Sequence, residues 1–156
     1  MINIDIPGKA PIRACHLVLD YNGTLAVDGM LLPGVKERLN ALADKITIHV
    51  ITADTFGKAA DNLKEIRCRC SVLKGSGQQQ QKLAFIQQLR QENVIAIGNG
   101  TNDALMLKHA ALGIAVIQEE GASLQTLLHA DIVCKDITSA LDLLLHPLRL
   151  VATLRD

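Results

Sequence analysis

The sequence predicts a three-layer, doubly wound α/β fold on a mostly parallel sheet. Three observations carry that expectation. Short apolar runs alternate with helix-like stretches along all 156 residues, the order that successive βα units impose. Runs such as "HLVL", "VIAI" and "GIAVI" are apolar at consecutive positions, as strands covered on both faces are. No linker, repeat or separate low-complexity segment breaks the alternation, so residues 1–156 read as one domain.

The elements follow in order. In "INIDI", Ile2, Ile4 and Ile6 alternate with polar residues, which makes a short half-buried strand closed by Pro7 and Gly8. "CHLVLD" is a buried strand. "PGVKERLNALAD" is a helix, with Pro33 suited to its first turn and Val35, Leu39 and Leu42 forming its apolar stripe. "ITIHVIT", Ile46 to Thr52, is a β-branched strand. "FGKAADNLKEI" is a helix with Asp54 or Thr55 as N-cap, and "CRCSVL" is a short strand. "QQQQKLAFIQQLRQ" is a helix that turns Phe85, Ile86 and Leu89 inward. Next come strand "VIAIG", helix "NDALMLKHAA", strand "GIAVI", helix "ASLQTLLHA" and strand "DIVCK". Helix "ITSALDLLL" stops near Pro147, and "LRLVATL" reads as an apolar tail whose Leu148, Leu150, Val151 and Leu154 pack on the domain.

Bulk composition narrows the function. Hydrophobic residues make up 49% of the chain and aromatics only 2%, so the core is aliphatic. The formal net charge is +0, and there is neither a basic stripe nor an aromatic platform, so no nucleic-acid partner is expected. No apolar run approaches the ~18 residues of a membrane span, and the first residues lack the pattern of a signal peptide. Cytoplasmic residence without a membrane partner is the expectation. Cys15, Cys68, Cys70 and Cys134 read as reduced thiols. His16, His49, His109, His129 and His146 show no ligand spacing and read as structural or surface residues.

Ligands of doubly wound sheets bind beyond the carboxyl ends of the strands. "HLVL" is followed by Asp20, Tyr21, Asn22, Gly23 and Thr24, and "ITIHVI" by Thr52. Lys82 lies near the start of the Gln-rich helix, with Lys74 as a competitor. "VIAI" leads into "GNGTNDALML", with Asn99, Gly100, Asn102 and Asp103. Acid, hydroxyl, lysine and acid at four successive strand exits form a phosphate-handling set. A carboxylate can attack phosphorus, a hydroxyl and an ammonium can stabilise phosphoryl oxygens, and carboxylates with carbonyls suit Mg²⁺.

From "LVLDYNGTL" through "VITAD" and Lys82 to "IGNGTNDALML", the chain resembles the haloacid dehalogenase (HAD) superfamily. "TADTFGKA" and "GNGTND" look most like the phosphorylation domain of P-type ATPases, and the group resembled is the soluble P-type-ATPase-like one. The resemblance implies a HAD-like Rossmannoid fold without a sizeable cap, with a small flap around 24–33. Asp20 would be the nucleophile that forms an aspartyl-phosphate. Thr52 would hydrogen-bond the phosphoryl group, and Lys82 would neutralise charge. Gly23 and Thr24 would shape the phosphate loop, and Tyr21 would face the substrate side. Asp20, the Asn22 carbonyl, Asn99 and Asp103 would hold Mg²⁺, Asp103 directly or through water.

Two positions depart from the usual phosphatase pattern. Asn22 and Asn99 stand where Asp is usual, so the carboxylates of these four positions fall from four to two. Asn22 cannot exchange a proton near neutral pH. Asn99 still offers an oxygen, but without charge. The expected function is a Mg²⁺-dependent phosphohydrolase or phosphotransferase, slow at hydrolysis, acting on small phosphate esters or acyl phosphates and not an ion pump. The alternative is a catalytically weakened or inactive binding or regulatory protein on the same scaffold. By analogy with capless relatives, a homo-oligomer, tetramer or dimer, would complete the site.

Overall fold

A computed structural model describes residues 1–53 and 58–155. The expected N-cap, Asp54 or Thr55, lies outside the described residues. The strands are β1 (Ile2–Ile4), β2 (Ile12–Ala14), β3 (His16–Asp20), β4 (Ala26–Val27), β5 (Met30–Leu31), β6 (Thr47–Thr52), β7 (Arg69–Val72), β8 (Val94–Gly98), β9 (Leu112–Val116) and β10 (Ile132–Cys134). The helices are α1 (Val35–Leu42), α2 (Lys58–Asn62), α3 (Gln78–Gln88), α4 (Ala104–His109), α5 (Leu124–His129), α6 (Ile137–Leu145) and α7 (Pro147–Leu154).

Six strands form one sheet in the order β10-β9-β8-β3-β6-β7, and every pairing in it is parallel. Strand β3 explains the consecutive apolar run. Leu17 and Leu19 enter one core with Val35, Leu39 and Leu42 of α1 and Leu141 and Leu144 of α6. Val18 enters the other core, with Ile86 of α3 and Met106 and Leu107 of α4. Helices therefore cover both faces, which gives the three-layer arrangement. Each such side chain contributes about 1.5–3 kcal/mol through burial. An ion pair joins α1 to α6, with Arg38 donating to both carboxylate oxygens of Asp142 at 2.8 and 3.1 Å.

The chain runs from β3 outward through β6 and β7, then returns to β8 on the other side and continues through β9 and β10. Strand order thus reverses between β3 and β8, and the crevice beyond their carboxyl ends is where such sheets bind ligands. Leu19 pairs with Ile97 there, so Asp20 and Asn99 emerge side by side.

Two features differ from the sequence reading, and a third gives the expected flap its form. Residues Ile12–Ala14 form a strand that pairs antiparallel with β1 outside the main sheet. The expected tail is helix α7, which Pro147 opens as a first-turn residue. Its Leu150 is buried, with Val151 and Leu154 packed against the core, but Leu148 is exposed. The flap is an antiparallel ribbon of β4 and β5, turned by Asp28 and Gly29 at φ 52° and 77°, which is the left-handed pair of a tight hairpin. Among the described residues there is no sizeable cap, and no single helix is long and apolar enough to cross a membrane.

Candidate functional site

Asp20 ends β3, flanked by β6 and β8. Thr52 ends β6, one residue beyond Ile51, the partner of Asp20 in register, and is buried. Lys82 lies one helical turn before Ile86, on the inward face of α3. A 3₁₀ turn, Thr101–Asp103, follows β8 and carries Asp103 into the interior. These elements bring together Asp20, Lys82, Asn99 and Asp103, all buried.

Lys82 is the centre of the group. Its Nζ donates to Asp20 Oδ1 and to Asp103 Oδ1, each at 2.6 Å. Burial alone would lower the Lys82 pKa, but the two carboxylates outweigh it and hold the ammonium above its ordinary value. Burial, followed by the charge of Asp103, pushes the Asp20 carboxyl up to about 7, against the pull of Lys82 and the Tyr21 amide. Asp103 Oδ2 accepts from the backbone N–H groups of Asn99 and Gly100 at 3.0 and 2.9 Å. Asp103 therefore fixes both the lysine and the turn after β8.

The Thr24 hydroxyl lies 3.4 Å from Asp20 Oδ2 and 3.3 Å from Asn99 Oδ1. One hydroxyl proton serves only one of these oxygens at a time. Two hard oxygens thus face one shared hydroxyl. That donor set fits Mg²⁺, which keeps several waters and binds through one or two carboxylates together with phosphate. No group of three His, Cys, Asp or Glu that could hold a metal occurs among the described residues, in keeping with the amide at Asn99.

The Asn99 amide is oriented by its surroundings. Its Nδ2 donates to the Gly121 carbonyl at 3.0 Å, which leaves Oδ1 to face Thr24. Gly23 has φ +78°, and a Cβ there would collide with the Asn99 side chain. Glycine at 23 is needed both for the left-handed turn and for the close approach of Asn99.

Tyr21 is not where a substrate-facing residue would be. Its side chain is buried, its hydroxyl lies 3.3 Å from the Gly29 carbonyl, and Asn62 Nδ2 donates to that hydroxyl and to Gly29 at 2.8 Å each. Tyr21 thereby anchors the flap. Asn22, two residues after Asp20, is exposed.

Several contributing residues were not singled out from sequence. The Gln run ties α3 to the turn after β8: Gln78 accepts from the Asn102 amide at 3.0 Å, and Gln79 donates to the Thr101 carbonyl at 3.0 Å. Gln118, after β9, reaches the loop that follows Asp20. A run of glutamines on a helix reads as a solvated face, and a single loop glutamine such as Gln118 carries no pattern that would mark it.

Residues 35–139 match the family of haloacid dehalogenase-like hydrolases. An uncharacterized protein of Methanocaldococcus jannaschii is 57% identical over 79 residues, covering 48% of this chain and 85% of that protein. In structure, the chain is similar to 3-deoxy-D-manno-octulosonate 8-phosphate phosphatase from Moraxella catarrhalis, solved with magnesium, phosphate and KDO. The TM-score is 0.72 at 16% identity, over 90% of this chain and 92% of that one. The cobalt-bound deoxy-D-mannose-octulosonate 8-phosphate phosphatase from Haemophilus influenzae gives 0.71 at 13% identity, over 86% and 88%. At these identities the likeness shows the fold.

Proposed function

The chain belongs to the haloacid dehalogenase-like hydrolases, and on that footing we propose a Mg²⁺-dependent phosphohydrolase or phosphotransferase that works through an aspartyl-phosphate on Asp20. The observation that carries this reading is the buried ammonium of Lys82, 2.6 Å from both Asp20 and Asp103, at the point where strand order reverses.

A carboxylate oxygen of Asp20 attacks the phosphorus, and the bond from phosphorus to the leaving oxygen breaks. Lys82 and the Thr52 hydroxyl neutralise and hold the phosphoryl oxygens. Asp20, the Asn22 carbonyl and Asn99 Oδ1 would hold Mg²⁺, with Asp103 contributing through a water, because Lys82 and two amides already engage its oxygens. The metal, when bound, supplies positive charge against the phosphoryl oxygens. Asn22 cannot deliver a proton to the leaving group or take one from water, so hydrolysis of the phospho-enzyme is slow.

A small phosphate ester or acyl phosphate is the substrate class, by analogy with the phosphatases that share the fold. The stretches "TADTFGKA" and "GNGTND" support a place in the soluble P-type-ATPase-like group. The flap is a ribbon of two-residue strands with Met30 exposed. That supports a homo-oligomer, tetramer or dimer, in which a neighbouring copy covers the crevice. A second reading, a binding or regulatory protein that no longer turns over, is favoured by the amides at Asn22 and Asn99.

Incubation with acetyl phosphate or p-nitrophenyl phosphate and Mg²⁺ separates the two. The expected result is a phospho-adduct on Asp20 with slow release of phosphate. No adduct and no turnover across a panel of phosphorylated compounds would favour the second reading.

A further inference from the structure

We propose that Gln118 is a positioning residue for the Asp20 loop, and that the segment it belongs to holds Asn99 against that loop. This inference rests on the reading of the crevice as a phosphoryl-transfer site.

The loop after Asp20 satisfies itself only in part. The N–H groups of Thr24, Leu25 and Ala26 converge on the Tyr21 carbonyl at 3.3, 2.8 and 3.0 Å, and Gly23 N–H donates to Ala26 at 2.7 Å. Those bonds leave out the carbonyls of Gly23 and Thr24, both in buried residues. Gln118 supplies the donors from the loop after β9, its Nε2 reaching both carbonyls at 2.8 Å. Its Oε1 accepts from Ile137 N–H at 2.9 Å. Ile137 opens α6, where Asp136 caps the helix by accepting from Ser139 N–H at 2.6 Å. Two acceptors on one side and a donor on the other allow a single orientation of the amide. The side chain is thus a rigid strut between α6 and the Asp20 loop.

The same segment also holds Asn99. Gly121 accepts from the Asn99 amide at 3.0 Å, and Ser123 N–H donates to the Asn99 carbonyl at 2.8 Å. Residues 118–123 therefore hold both Asp20's loop and Asn99, whose side-chain oxygens meet at the Thr24 hydroxyl. Displacing reacting groups by about 1 Å can cost on the order of 10²-fold in rate, so the strut acts on catalysis without touching substrate.

The test compares Gln118→Glu, which keeps the shape and the acceptor for Ile137 N–H but has no donors, with Gln118→Lys, which keeps donors for both loop carbonyls but has no acceptor for Ile137 N–H. Readouts are kcat and KM for acetyl phosphate, melting temperature, and amide hydrogen exchange at residues 23–26. Expected for Gln118→Glu is a fall in kcat of about 10- to 100-fold, KM within a few fold, and faster exchange in the loop. Gln118→Lys, which keeps the bonds to the loop and loses the one to α6, should retain more kcat than Gln118→Glu and show slower loop exchange than it. Parental kcat and exchange in Gln118→Glu would overturn the proposal. So would equal losses in both variants that track melting temperature, because that is the mark of a purely structural cross-link. If the parent protein turns over no phosphorylated compound, the phosphoryl-transfer reading fails, and loop exchange decides on Gln118. Greater acceleration in Gln118→Glu than in Gln118→Lys supports the strut; equal exchange in the parent and both variants overturns it.

Discussion

Lys82 Nζ stands 2.6 Å from Asp103 Oδ1, with both side chains buried. The same ammonium meets Asp20 at 2.6 Å, so one cation serves two acids. Removing one partner of a buried pair costs about 3–5 kcal/mol, because the other charge is left unpaired. Lys82→Met is expected to lose that order of stability in urea unfolding, and to abolish turnover of acetyl phosphate. A variant as stable as the parent would show that the pair contributes little.

Asn99 looks like a weakened metal ligand whose repair would be Asp. The hydrogen bond from its Nδ2 to Gly121 argues otherwise. Asn99→Asp would set a carboxylate oxygen against a carbonyl oxygen and leave that carbonyl without its donor. An expected loss of about 1–3 kcal/mol is measured by unfolding without metal. Mg²⁺ should recover part of it, since added negative charge favours the cation. A parental melting temperature without metal would contradict this.

Asn22 is exposed, so Asn22→Asp should alter stability by less than about 0.5 kcal/mol. It restores a group able to exchange a proton, and general acid–base help typically contributes ~10²–10⁴ in rate. Phosphate release from phosphorylated Asp20 is expected to speed up on the order of 10²-fold. Unchanged release would mean that another group already supplies the proton transfer.

Much of this was legible in the sequence. Leu17, Val18 and Leu19 are apolar in succession because they enter two cores, and that pattern marks a parallel sheet. Strand-exit position and motif resemblance mark Asp20, Thr52, Lys82 and Asp103, and the structure brings Asp20, Lys82 and Asp103 into contact. Other features were hidden for physical reasons. Pro147 ends one helix and opens the next, and both uses look alike in sequence. Asn22-Gly23 and Asp28-Gly29 are both turn pairs, and only the second joins two paired antiparallel strands. Tyr21 could face either side of the strand end, and the Asn62–Gly29 contact that draws it under the flap joins residues distant in sequence. Gln118 acts through three single hydrogen bonds, which leave no periodic trace.

His49 gives a pH dependence. Burial, with His16 and Arg69 adding to it, pushes its pKa down from 6.5 to about 4. The folded state therefore binds the proton less readily than the unfolded chain. Its contribution is complete above about pH 6.5 and is lost as pH falls towards 4, by up to about 3 kcal/mol. Asp20, raised from 3.8 to about 7, titrates with the opposite sign in the same window. The measurement is best made in an Asp20→Asn background. There, urea stability should fall from pH 7 to pH 5, and adding His49→Gln should flatten most of the fall. An equal fall in both proteins would assign the effect elsewhere.

The most direct measurement is of Asp20 itself: ¹⁹F NMR, followed by a crystal structure, of the protein with Mg²⁺ and BeF₃⁻. The expected result is a Mg²⁺-dependent fluoride complex on an Asp20 carboxylate oxygen, with Lys82 against it, absent from Asp20→Asn. Failure to form a complex at saturating Mg²⁺ and BeF₃⁻, or a complex that survives in Asp20→Asn, would contradict Asp20 as the nucleophile.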